Sequence, residues 1–150
     1  MGKVVLLGWD AADWQVIHPL LDRGEMPHLA RLIERGVIGD LSTLEPVLSP
    51  MLWNSIATGK RAHQHGILGF IEPDPHTGNV RPVMSTSRRC KALWNILAQS
   101  GRPAIALNWF ASHPAEPIPN GVVVAETYAR DSHRPGPPRP LAPGMVHPAR

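Results

Sequence analysis

Two side chains stand where chemistry is easiest to build, Ser49 and Asp10. Ser49 lies in the run Glu45-Pro46-Val47-Leu48-Ser49-Pro50-Met51-Leu52-Trp53-Asn54-Ser55-Ile56-Ala57-Thr58-Gly59, where an extended segment gives way to a helix. Proline suits the first helical position, where its missing N–H costs nothing, and serine is a favoured N-cap. The run therefore predicts a Ser49-capped helix from Pro50 to about Gly59. A helix start also gathers unpaired N–H groups and the positive end of the dipole, which favour a phosphate or sulfate. A nucleophilic hydroxyl placed there would suit transfer chemistry at phosphorus or sulfur. Local chemistry alone favours the plain cap, the common role of a Ser-Pro helix start.

Asp10 follows the apolar run Lys3-Val4-Val5-Leu6-Leu7-Gly8 and Trp9. An acidic residue just past the carboxyl end of a first strand is a common site position in open α/β sheets. Capping of the next helix explains Asp10 equally well. The other polar candidates are weaker. His63 and His65 sit in the polar turn Gly59–Gly66, where flanking glycines argue for a loop over a chelating pair. Asp74 and His76 are better explained by turn chemistry beside Thr77-Gly78-Asn79. Cys90 is the single cysteine, which excludes an internal disulfide and a Cys-rich zinc site. It reads as a small residue at a helix start.

The elements that must position Ser49 and Asp10 follow from periodicity. Lys3–Gly8 is a continuous branched apolar run, as in strands buried on both faces of a parallel sheet. Trp14, Ile17 and Leu21 share a helical face that Gly24 ends, and Met26-Pro27 opens a second helix with Leu29, Leu32 and Ile33 inward and Arg35-Gly36 at its close. Val37–Thr43 alternates and reads as a second strand. Gly69–Ser87, with three prolines, reads as a long irregular loop of the kind that carries function or marks an insertion. Arg89–Ser100 is a helix, Ala104–Leu107 a buried strand and Val122–Val124 a short one. Strands alternating with helices predict an α/β layered domain over residues 1–130. Residues 131–150 read as a Pro/Arg-rich extended tail or linker without a core of its own.

Composition bounds the function. The chain has 150 residues, 43% of them hydrophobic, enough for one domain with a core. Its net charge of +3 comes from residues 130–150, where four Arg face one Asp, so the rest of the chain is neutral. A basic tail without interleaved aromatics gives no specific argument for nucleic acid. No apolar run is long enough to span a membrane, and the run at Val4–Leu7 is too short for a signal peptide core. The expected location is the cytoplasm.

Four segments taken in order carry a resemblance. They are Val5-Leu6-Leu7-Gly8-Trp9-Asp10, Gly24-Glu25-Met26-Pro27-His28-Leu29, Ser49 to Gly59, and His65-Gly66-Ile67. Over residues 3–70 the chain resembles the N-terminal part of the alkaline phosphatase superfamily, in its type I phosphodiesterase/nucleotide pyrophosphatase branch. The resemblance implies a layered sheet with helices on both faces, of which this chain holds the N-terminal part. It implies that Asp10 binds a divalent metal, and that Ser49 is both nucleophile and a ligand of the same metal. A metal replaces the base that a serine hydroxyl otherwise needs at neutral pH. In the full-length family the centre holds two Zn²⁺ ions, and the second site is not encoded here.

Two positions depart from the branch. Phe70 stands where it places a phosphate-binding Asn, and Asp10-Ala11 replaces its Asp-Gly. Asp131-Ser132-His133 does not match the family's adjacent Asp-His pair. Ser49-Pro50 also lacks the Cys/Ser-x-Pro-x-Arg pattern of sulfatases. The leading expectation is thus the first part of a metal-dependent hydrolase of small phosphate esters, inactive without the missing C-terminal half of its domain. The competing expectation is a non-catalytic α/β fragment that binds an anion or a partner.

Overall fold

A computed structural model describes residues 2–132 and 140–149. It divides into two units, residues 1–42 and 43–150. The described residues form a mixed α/β structure with six helices and two small sheets, as the alternation of elements predicts.

The first unit is helical. Helix α1 (Trp14–Asp22) starts at Asp13, whose Oδ1 accepts from the Gln15 N–H at 2.8 Å. Ile17 is buried, and Trp14 and Leu21 are half-buried on the same face. Gly24 ends the chain's turn at φ 70° with its N–H on the Leu21 carbonyl, as Gly after a helix should. Helix α2 (Pro27–Arg35) opens at its proline. Leu29 and Ile33 are half-buried, but Leu32, expected inward, is 69% exposed.

Two predicted strands of this region are not formed. Residues 3–9 and 37–44 are irregular, with Val4 94% and Leu7 88% exposed and Val37 and Leu41 equally open. The physical reason is pairing: a strand exists only where a neighbour takes up its N–H and C=O groups. Residues 1–42 contain no other strand among the described residues. An apolar run specifies what a segment would bury, not where its partner lies.

The second unit holds the core. Helix α3 (Ser49–Thr58) ends at Gly59, which adopts φ 65° and donates its N–H to the Ser55 carbonyl at 2.8 Å. The expected loop around His63 is instead a helical turn, α4 (Ala62–His65). The long segment 69–87 is not irregular throughout. Strands β1 (Ile71–Pro73) and β2 (Val80–Pro82) form an antiparallel hairpin, with Ile71 opposite Pro82 and Pro73 opposite Val80. Proline at the strand ends hid the hairpin, since proline cannot donate within a ladder and argues against a strand. The Asp74–Asn79 tip does follow turn chemistry: Asp74 accepts from the His76 N–H at 2.9 Å and from the Thr77 hydroxyl at 3.0 Å.

Helix α5 (Leu93–Gln99) is shorter than the predicted 89–100. Its Trp94 and Ala98 pack with Ala104, Ala106, Ile118 and Val123 in the main core. Strands β3 (Ile105–Trp109) and β4 (Val122–Ala125) run parallel, Ile105 beside Val122 and Leu107 beside Val124. The predicted buried strand is buried on one face only. Ala104 and Ala106 face the core, while Ile105 is 72% exposed and Leu107 also lies open. The two-residue period of a strand sends alternate side chains to opposite faces, and only the alanine face is covered. Gly121, just before β4, is required: a Cβ there would lie 2.5 Å from the Ala104 carbonyl oxygen and 2.5 Å from the Ile118 side chain. Helix α6 (Glu126–Ser132) follows β4 directly. Within the stretch read as an extended tail, β5 (Val146–His147) pairs antiparallel with β4, and Met145 is buried. His133 lies outside the described residues.

Candidate functional site

Ser49 opens α3 as its first helical residue, half-buried, and Leu48 is the cap. The predicted cap is thus displaced by one residue. Leu48 is extended, at φ −128° and ψ 118°, and its carbonyl already accepts the first helical bond, from the Leu52 N–H at 3.0 Å. Pro50 takes the second position and is buried. The consequence for chemistry is small but definite. A first-turn residue carries its own N–H among those that have no partner inside the helix, so the hydroxyl and the dipole's positive end occupy the same turn.

Asp10 is exposed, in a turn whose next residue, Ala11, has φ 55°. It does not cap α1, because Asp13 does. The capping explanation that competed with a site role is therefore removed. Asp10 belongs to the first unit and Ser49 to the second.

Behind the first turn of α3 lies a buried polar cluster that sequence reading did not single out. The Asn54 side chain is fully buried, and its Nδ2 donates to the Pro50 carbonyl at 2.8 Å and lies 3.5 Å from the Phe110 carbonyl. Arg88 Nη1 lies 3.5 Å from Asn54 Oδ1, and Arg88 Nε donates to the Cys90 carbonyl at 3.2 Å. Its Nη2 is paired with Glu116. The Trp94 indole N–H donates to the same Glu116 oxygen at 2.8 Å, and the Arg88 guanidinium sits 5.2 Å from the centre of the Trp94 ring. No buried side-chain nitrogen or oxygen among the described residues lacks a partner.

A second anchor joins α3 to the carboxyl end of β3. Trp109 Nε1 donates to the Trp53 carbonyl at 2.9 Å, and the two indoles meet edge to face at 5.2 Å. The strand is irregular here. Register shifts between Leu107 and Trp109, and Asn108 and Ala111 take positive φ near 54°. Past this bend, buried Ser112 is locked to Glu126 at the end of β4. The Ser112 N–H donates to Glu126 Oε2 at 2.8 Å, and the Glu126 N–H donates to Ser112 Oγ at 3.2 Å. The Ser112 hydroxyl lies 2.6 Å from the Trp109 carbonyl and 2.7 Å from Glu126 Oε2, so its single proton can serve either oxygen.

The two histidines of α4 have different surroundings. His63 is exposed and His65 is buried, so they form no chelating pair. His65 Nδ1 accepts from the Ile67 N–H at 3.1 Å, which assigns the ring proton to Nε2, 3.1 Å from the Ser55 hydroxyl. Burial holds the His65 pKa below the usual histidine value. The Met51 carbonyl opposes that shift, while the positive charge of Arg88 and a charged His63 add to it. Phe70 is half open, and its ring meets Phe110 edge to face at 5.8 Å.

Carboxylate and hydroxyl oxygens are suitable donors for a divalent cation. Zinc sites ordinarily take three or four protein ligands. Among the described residues, no group of three or more His, Cys, Asp and Glu is placed to hold a metal ion. Nor does any helix among them have the length and apolarity to cross a membrane.

An α/β domain whose helix start carries the candidate hydroxyl agrees with what comparison of the chain finds. Residues 4–141 match the family model of the type I phosphodiesterase / nucleotide pyrophosphatase proteins, and the chain belongs to that family. It is a domain of the phosphoester hydrolase type, from a family that is generally metal-dependent and acts on small phosphate-ester substrates. No curated protein and no solved structure matches the chain.

Proposed function

We propose that the protein is a metal-dependent hydrolase of phosphate esters in which Ser49 is the nucleophile, with Ser49 and Asp10 as ligands of one divalent ion. The observation that carries this reading is a serine opening a helix in a chain whose family match runs from residue 4 to residue 141. The Ser49 oxygen attacks phosphorus, the ester oxygen leaves, and the resulting phosphoserine is hydrolysed. When bound, the metal makes the hydroxyl more acidic and screens the phosphate charge from it. The N–H groups of the first turn of α3 favour the same anion. Asp10 would supply a carboxylate oxygen to that ion. Zinc is the metal that the resemblance implies. Two protein oxygens bind zinc weakly, so residues 1–150 alone turn over little substrate.

Zinc titration and hydrolysis of bis(4-nitrophenyl) phosphate test the reading on the 150-residue chain. Weak zinc binding that both Asp10→Ala and Ser49→Ala reduce is expected, with any turnover lost in Ser49→Ala. Zinc binding indifferent to both substitutions, or turnover that survives Ser49→Ala, overturns it.

A further inference from the structure

One chain of buried polar groups in the second unit ends on the carbonyl of Pro50, the residue next to Ser49. In an α-helix this carbonyl accepts the Asn54 backbone N–H. Here it also accepts the Asn54 side-chain amide, at 2.8 Å. An amide that donates from Nδ2 must present Oδ1 on its other arm, and that arm meets Arg88 Nη1 at 3.5 Å. Guanidinium has donors only, so Arg88 dictates which way the Asn54 amide is turned.

Arg88 is itself held on every side. Its side chain is 1% exposed, paired with Glu116, bonded to the Cys90 carbonyl and laid against the Trp94 ring. Trp94 in turn fixes the Glu116 oxygen that Arg88 uses. The result is a chain of planar groups, Glu116 to Arg88 to Asn54, ending at the first turn of α3. An ion pair that buries one of its charges is a poor device for stability, because apolar residues of similar volume commonly serve as well or better. It is a good device for orientation, and a nucleophile displaced by a fraction of an ångström loses much of its rate.

We infer that Asn54 and Arg88 are positioning residues that hold the first turn of α3, and with it the Ser49 hydroxyl, in one orientation. This rests on the reading of Ser49 as the nucleophile for its functional meaning, but not for its test. Ser49→Cys in a Cys90→Ser background leaves a single thiol at the helix start. The pH dependence of its alkylation by iodoacetamide reports the field of the first-turn N–H groups, which lowers a thiol's pKa. Adding Asn54→Leu or Glu116→Gln, with folding checked by circular dichroism, is expected to raise that thiol's pKa by about half a pH unit. Removing the Glu116 charge should by simple electrostatics move it down, so a rise reports lost orientation. An unchanged or lowered thiol pKa in the folded variants overturns the inference. If Asn54→Leu does not fold, Glu116→Gln decides, because Glu116 is partly exposed. The readout needs neither metal nor turnover, so it stands or falls separately from the zinc and Ser49→Ala experiments.

Discussion

The Trp109 indole N–H donates to the Trp53 backbone carbonyl at 2.9 Å, tying the carboxyl end of β3 to the helix that Ser49 opens. Trp53 and Trp109 are 56 residues apart in the chain. The bond meets α3 four residues beyond Ser49, and the Asn54 amide reaches the Phe110 carbonyl from the same side. A bent strand end and a helix are thereby joined into one piece.

Trp109→Phe keeps most of the ring's packing and removes the donor. It should cost about 1 kcal/mol, the net value of one hydrogen bond. Trp109→Ala also removes the ring from the core and should cost roughly 3–5 kcal/mol. Urea unfolding of the two variants separates the terms.

The lock between Ser112 and Glu126 makes a second prediction. Glu126→Ala leaves the Ser112 N–H without its acceptor, while the hydroxyl can turn to the Trp109 carbonyl, and should cost about 1–3 kcal/mol. Glu126→Gln keeps an acceptor oxygen and should cost less. Equal losses in the two variants, read by thermal melting, would count against the bond as the cause.

His65 gives the stability a pH dependence. Its pKa in the folded protein lies below the unfolded value near 6.5, since burial disfavours the charged ring. The unfolded chain therefore binds more protons in the interval between the two values, and stability rises with pH there. The contribution is complete above about 6.5 and is lost as pH falls through that interval toward the folded value. Melting temperature should fall as pH drops below about 6.5, and His65→Asn should flatten that part of the profile at some cost in stability at pH 7.

Among the described glycines, Gly121 leaves the least room for a Cβ. Gly121→Ala places a methyl group 2.5 Å from the Ala104 carbonyl, a backbone atom that cannot swing aside. Overpacking of this kind costs roughly 1–3 kcal/mol. A parallel pair pushed apart should also show faster amide exchange at Val122, whose N–H donates to that carbonyl at 3.0 Å.

Much of the fold was readable from local pattern. Helices α1, α2, α3 and α5 and the strands β3 and β4 lie where periodicity puts them, within a few residues at the ends. So does Ser49 at a helix start, and the family follows from ordered short segments. These are properties that neighbours in sequence decide, through propensity, capping and the spacing of apolar side chains.

What escaped sequence reading depends on distant partners. The runs at residues 3–8 and 37–43 carry strand-like composition, but among the described residues of 1–42 there is no strand to pair with. The hairpin at Ile71–Pro82 and the pairing of Val146–His147 with β4 sit in proline-rich stretches that argue locally against strands. The cluster of Asn54, Arg88 and Glu116 joins positions 34 and 28 residues apart, and nothing beside any of them marks it.

The sequence by itself determined where helices begin, which residues could attack or ligate, and to which family the chain belongs. Only the tertiary structure decided which polar side chains are buried together. A side chain's own chemistry sets what bonds it can make, but a buried bond forms only when folding removes water and brings its partner within reach.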